Sequence, residues 1–213
     1  MRQYLARQRQ QGLSLIELLV TMTIAVILLA VGVPSFIEFT TSNTASSYAN
    51  DLLGDLNYAR SEAITRGSWV VVCKGATANN CTTDNWEDGW KVFEDCNNDQ
   101  TVDTGTCPDR DLPGTTGHGT PDDETVLRRH GALSNGWTLR GNNNVSNRVT
   151  YQATGRTGNN GTFSVCRNTE VMSTELSRAV IIHGSGRVRI ATDTDANGKP
   201  DESDGTEITD CTP

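Results

Sequence analysis

Residues 13–33, LSLIELLVTMTIAVILLAVGV, form an unbroken apolar run of 21 residues in which Glu17 is the only charge. At about 1.5 Å of rise per residue, a helix of this length crosses a bilayer's hydrocarbon core. Before it comes MRQYLARQRQQG, with three arginines and no acid, a leader that the positive-inside rule holds in the cytoplasm. Everything after the run is polar, and the whole chain has a mean hydropathy of −0.45 and a net charge of −8. That split excludes both a polytopic membrane protein and a plain cytosolic globule. A secretory signal peptide needs small residues at the −3 and −1 positions after its apolar core, and Val33-Pro34 and Phe36-Ile37 offer no such site. A simple anchor leaves Glu17 unexplained, because a lone carboxylate near the start of a span is costly to bury.

The leader, Gly12 and the segment Gly-Leu-Ser-Leu-Ile-Glu-Leu-Leu-Val resemble the type IV pilin superfamily. By that resemblance Gly12 closes the leader, Leu13 becomes the first mature residue in place of the usual Phe or Met, and Glu17 falls fifth. Pro34 falls where many pilins carry a helix-kinking proline. The resemblance implies cleavage after Gly12 by a prepilin peptidase, N-methylation of Leu13, and packing of the helix into a filament core. It gives Glu17 the terminal amine of a neighbouring subunit as its partner, which resolves the unpaired charge. It also implies a single-pass protein of the bacterial inner membrane with a periplasmic globular part, handled by an inner-membrane assembly platform. The expected organisation is a leader peptide over 1–12, a transmembrane or filament-core helix over 13–39, and a globular domain over 40–213.

Past Pro34, Ala45, Tyr48, Ala49, Leu52, Leu56, Ala59 and Ala63 recur at three- and four-residue steps, predicting a helix with one apolar stripe that ends at Gly67. Strands are expected at 69–73, 89–93, 125–129, 149–152, 162–166, 179–183 and 187–190, separated by Gly and Asn clusters. One long helix followed by consecutive strands predicts an α+β fold, the helix packed on an antiparallel β-sheet domain. Gly89-Trp90-Lys91-Val92-Phe93 with Asp95, then Val126-Leu127-Arg128, Tyr151 to Gly155-Arg156, Thr162 to Cys166 and Gly186-Arg187-Val188-Arg189 are similar to the GspH/FimT family of minor pilins and pseudopilins. That resemblance implies the pilin fold and a structural subunit of a type IV pilus or a type II secretion filament. Such a subunit assembles with other pilins or pseudopilins and helps prime or cap assembly. No HExxH, P-loop, G-x-S-x-G or dinucleotide fingerprint is present, so an enzyme is not expected.

Six cysteines beyond the span lie on the side of the membrane where disulfides persist. Loop closure favours local pairs, giving Cys73–Cys81 and Cys96–Cys107 and leaving Cys166–Cys211. Zinc is disfavoured by the absence of paired CxxC spacing and by three scattered histidines. The tail segment from Asp193 to Asp204 fits a twelve-residue Ca²⁺ loop. Its oxygens come from Asp193, Asp195, Asn197, the Lys199 carbonyl, Asp201 and Asp204, with Gly198 at the turn position. It departs from that pattern at its last position, where Asp replaces Glu, and at Pro200. Asp95, Asn97, Asp99 and Asp103 form a weaker second candidate, for which a turn is the simpler reading.

Charge is segregated. Residues 84–124 hold 12 acids and two bases, whereas residues 128–189 hold nine arginines and two acids. Gly186-Arg187-Val188-Arg189 resembles the motif through which FimT-type pilins bind DNA during natural transformation. Two arginines two apart on a strand share a face, which suits phosphate tracking. DNA binding through Arg187 and Arg189 is therefore the alternative to a purely structural role.

Overall fold

The computed structural model describes residues 14–108, 122–142, 144–167, 177–197, 199–201, 206–208 and 211; Gly12, Leu13 and Asp204 lie outside them. The chain divides into two compact units, Met1–Thr40 and Thr41–Pro213.

Helix α1 spans Leu15–Arg66, 52 residues, and runs through Pro34 without a break. Through residue 40 its side chains are exposed, Leu15 by 81% and Phe36 by 67%. Four of its hydroxyls are satisfied within the helix. The hydroxyls of Thr21, Thr23, Ser35 and Thr40 donate to carbonyls three or four residues back, at 2.8–3.2 Å. Such back-bonding lets a helix enter a medium that offers no water. From Thr41 onward the pattern changes. Ala45, Ala49, Leu52, Leu56, Ala59 and Ala63 are fully buried, and their period makes one stripe. Gly67, at φ +67°, ends the helix by donating its N–H to Ala63 O at 3.0 Å. Arg66 then clamps the exit, pairing with Glu62 at 2.7 Å and with the buried Glu94 at 3.0 Å.

Eight strands follow: β1 Trp69–Lys74, β2 Trp90–Asp95, β3 Val126–His130, β4 Trp137–Gly141, β5 Arg148–Tyr151, β6 Gly161–Arg167, β7 Arg178–Ile182 and β8 Val188–Ile190. They form two four-stranded sheets, ordered β3-β2-β1-β5 and β4-β6-β7-β8, in which all pairings are antiparallel. Strand β4 was not expected from the sequence. Its alternation is short, with only Trp137 and Leu139 turned inward, and Gly136, Gly141 and a run of asparagines make it read as turn.

The stripe of α1 meets both sheets in one core. Val70, Val72, Trp90 and Val92 come from the first sheet, and Leu139, Phe163, Val165, Val180 and Ile182 from the second. Two indoles fasten it. Trp86 Nε1 donates to Val145 O and Ser146 O at 3.1 and 3.0 Å, and Trp90 Nε1 donates to Asp55 Oδ2 at 2.8 Å. Asp55 is an acid on the buried side of α1 that the apolar stripe did not reveal. Its second oxygen accepts from Arg128 at 2.7 Å, so the charge is paired rather than stranded. The three disulfides are Cys73–Cys81 and Cys96–Cys107, the local pairs that loop closure favours, and Cys166–Cys211, the pair it leaves.

Candidate functional site

Three features could act on something outside the chain: the apolar half of α1, two acidic loops, and the edge of the second sheet at β8. In the first, Glu17 sits in the opening turn of α1 with exposed apolar neighbours. Pro34 lies inside the same helix.

The acidic loops share one construction. In the first, the Asp99 N–H bonds Asp95 Oδ1 at 3.1 Å and Asn97 Oδ1 at 3.0 Å, and the Thr101 N–H bonds Asp99 Oδ1 at 2.8 Å. In the tail, the Asn197 N–H bonds Asp193 Oδ1 and Asp195 Oδ1, both at 3.2 Å, and the Lys199 N–H bonds Asn197 Oδ1 at 2.9 Å. The residue between the third and fifth positions has positive φ in both loops, Asn98 at 62° and Ala196 at 61°. The tail loop brings carboxylate oxygens of Asp193, Asp195 and Asp201 within 4.8 Å of one another. Asp201 is buried and accepts from the N–H of Thr194 at 2.8 Å and from its hydroxyl. Lys199 pairs with Glu207 at 2.8 Å. Hard carboxylate oxygens in such a cluster match the chemistry of Ca²⁺, and Asp204 lies outside the described residues. Burial pushes the carboxyl of Asp95, in the other loop, above the usual carboxylate range, although the Gln100 N–H partly offsets this.

The arginine-rich segment is less basic than its composition suggests. Arg128 is spent on Asp55 and Arg140 on Glu87, and Arg129 donates to Ala76 O. Arg167 donates to Thr41 at 2.7 Å. Arg178, its pKa lowered by burial, donates to Ser42 at 2.9 Å and Ser46 at 3.1 Å. The last two fasten the second sheet to α1. Arg156, Arg187 and Arg189 stay exposed, and among the described residues none of the three is in an ion pair. The described tail acids do not neutralise Arg187 or Arg189, because Asp193, Asp201 and Glu207 bond within the tail itself.

Local structure sets the direction of those arginines. The β7–β8 turn is closed by Gly186 N–H to His183 O at 2.7 Å and His183 N–H to Arg187 O at 3.0 Å. Gly186 has φ +81°, and a Cβ there would lie 1.9 Å from Gly155 O. Arg60 of α1 donates to that same Gly155 O at 2.9 Å. Val188 packs on the core. So in the run 186–189 the glycine and the valine are structural, while the two arginines face outward. The Gly155 contact also brings Arg156 towards this corner, a neighbour that strand spacing alone could not supply.

The chain belongs to the family described as Type II transport protein GspH, whose sequence profile matches residues 48–186. The prokaryotic N-terminal methylation motif matches residues 7–33. The chain is thus of the minor pilin and pseudopilin class, whose members assemble with other pilin subunits. Among solved structures, one similar chain is the type IV minor pilin FimU of Pseudomonas aeruginosa, at 20% identity and a TM-score of 0.49, covering 81% of this chain and 98% of that one. Another is the minor pseudopilin EpsH from the Type 2 Secretion System of Vibrio cholerae, at 12% identity and a TM-score of 0.38, covering 68% of this chain and 94% of that one. No curated protein matches by sequence.

Proposed function

We propose that the chain is a non-enzymatic filament subunit, held in the bacterial inner membrane with its globular part in the periplasm and then built into a pilus or pseudopilus. A prepilin peptidase cuts after Gly12, Leu13 is N-methylated, and the inner-membrane assembly platform inserts the subunit, which helps prime or cap the filament. The observation that carries this reading is the exposed apolar half of α1 with Glu17 in its first turn. A helix face of that size needs lipid or other helices around it, and Glu17 needs a cation such as a neighbour's terminal amine. Pro34 adapts the same helix to its neighbours. Mass spectrometry of the mature chain should find Leu13 at the N-terminus carrying a methyl group. Glu17→Ala should still be processed yet be missing from sheared filaments; normal incorporation would contradict the register role. Deleting the gene and scoring twitching, DNA uptake and secretion in one strain separates pilus from secretion.

The alternative reading, DNA capture through Arg187 and Arg189, draws support from their exposure with no ionic partner among the described residues. Arg187→Ala with Arg189→Ala should then lower gel-shift affinity for duplex DNA at low salt, and unchanged affinity would end this alternative. For the tail loop, the proposal is that Ca²⁺ orders it through Asp193, Asp195, Asn197, the Lys199 carbonyl, Asp201 and Asp204. A calorimetric titration silent at millimolar Ca²⁺ would remove it.

A further inference from the structure

We propose that Cys73–Cys81 is a thiol-exchange site. A dithiol attacks at Cys81, and a row of cations across the first sheet receives the Cys73 sulfur as a thiolate.

The row follows from strand register, since partners on neighbouring strands stand side by side on one face. Cys73 of β1 is opposite Lys91 of β2 and Arg148 of β5, and Lys91 is opposite Arg129 of β3. The sulfur therefore lies between two cations, with a third beyond one of them. Lys91 is fully buried, and its Nζ stands 3.3 Å from Cys73 Sγ. Arg148 is half-buried, and Arg129 donates to Ala76 O. Asp84, in the loop between β1 and β2, is the acid whose charge reaches Lys91. Among the described residues, however, none of the three cations is in an ion pair. Lys91 is thus a buried ammonium whose acceptors are the carbonyls of Gly75 and Asn80, both at 3.2 Å, and a sulfur. Such a charge is stabilised by a countercharge beside it, and a thiolate at Cys73 supplies one.

Access selects the other sulfur for attack. Cys73 lies in a strand with a ladder on each side, whereas Cys81 lies in the loop between exposed Asn80 and Thr82. An incoming thiolate bonds to Cys81 Sγ, the bond to Cys73 breaks, and its electron pair leaves on Cys73. The second thiol of the same dithiol then closes its own disulfide and expels Cys81, which takes up a proton. The dithiol gives up two electrons and two protons, one of which goes to solvent because Cys73 stays ionised. Lys91 still holds the loop through Gly75 O and Asn80 O, so the step reverses. The other pairs lack this setting. A carboxylate oxygen of Glu94 lies within 4.8 Å of the Cys96 and Cys107 sulfurs and disfavours a thiolate there. Cys166 is opposite the neutral Thr138.

The full chain in detergent micelles tests this. Dithiothreitol is added at neutral pH, thiols are trapped by alkylation at intervals, and each cysteine is followed by mass spectrometry. Cys73–Cys81 should open about tenfold or more faster than Cys96–Cys107. With reduced glutathione instead, the trapped adduct should sit on Cys81. Cys81→Ser isolates the Cys73 thiol, whose thiolate is seen by its ultraviolet absorbance. That absorbance should appear about one pH unit or more lower than when Lys91→Met is added. Lys91→Arg should keep most of the difference, and Arg148→Ala, which leaves the loop's bonds intact, should lose part of it. Opening of the other two disulfides at wild-type rates shows that the variants are folded; if Lys91→Met fails that check, Arg148→Ala decides. Equal opening of Cys73–Cys81 and Cys96–Cys107, an adduct on Cys73, or a thiolate onset unmoved by removal of the cation would overturn the proposal. A Lys91 that only held the loop would, when replaced, speed opening and leave the thiolate onset where it was.

Discussion

At the scale of single residues, the least expected side chain is Lys91. It stands in the middle of β2 with no exposed surface. Its ammonium donates to Gly75 O and Asn80 O, both at 3.2 Å, and lies 3.3 Å from Cys73 Sγ. It thereby ties together the loop that Cys73–Cys81 closes. Burial, with the nearby Arg129 charge, lowers its pKa from the ordinary 10.5 to about 8, although Asp84 opposes the shift. The sign follows from linkage. Between about pH 8 and 10.5 the unfolded chain holds a proton that the folded chain has released, so stability from this group rises with pH. That contribution is complete above pH 10.5 and is lost as pH falls through 8. Thermal melts across this range should show such a rise, and Lys91→Met should flatten it. An unchanged pH slope in the variant would mean that Lys91 is not the titrating group. Asp55 teaches a related lesson. Both residues are charges inside apolar patterns, and period alone does not show which charge has a partner waiting across the core.

At the scale of elements, the glycines separate backbone need from space. Gly105 and Gly186 both have positive φ, but only Gly186 has an oxygen where its Cβ would go. Gly105→Ala should cost about 1 kcal/mol, the backbone share alone. Gly186→Ala should cost more than about 2 kcal/mol and loosen the β7–β8 turn. Denaturant melts of the two variants give the difference directly, and equal losses would refute the contact with Gly155. The stripe on α1, its stop at Gly67 and seven of the strands were legible because each rests on local period or turn chemistry. β4 was not, because two inward residues between glycines carry too little pattern. The division into two sheets was not legible either, since antiparallel pairing rules do not say where one sheet ends. At the candidate sites, residue types could be read but not their employment. Five of the nine arginines in 128–189 hold the fold together through partners distant in sequence. The exposed corner of Arg156, Arg187 and Arg189 emerges only once those partners are known.

At the scale of the whole molecule, covalent ties compensate for a chain whose acids crowd its loops. Ile208 and Cys211 of the tail pack on Ala179, Ile181 and Ala191, forming a small second core on the outer face of β7. Cys166–Cys211 closes 45 residues around it. Replacing both cysteines by serine should cost about 2–4 kcal/mol. Limited proteolysis should then cut within 191–211 before it attacks the helix and sheets; a tail as resistant as the wild type would show that packing alone retains it. The route from α1 into the sheets has a mechanical meaning as well. The helix passes through Gly67 and Ser68 straight into β1, which lies inside its sheet with six register pairs to β2 and four to β5. Tension arriving along the helix therefore loads a strand gripped from both sides. To pull it free, both ladders must fail, along with the Arg66–Glu94 clamp at the point of entry. Strain entering through the N-terminal helix is thus passed to a strand held by a ladder on each side.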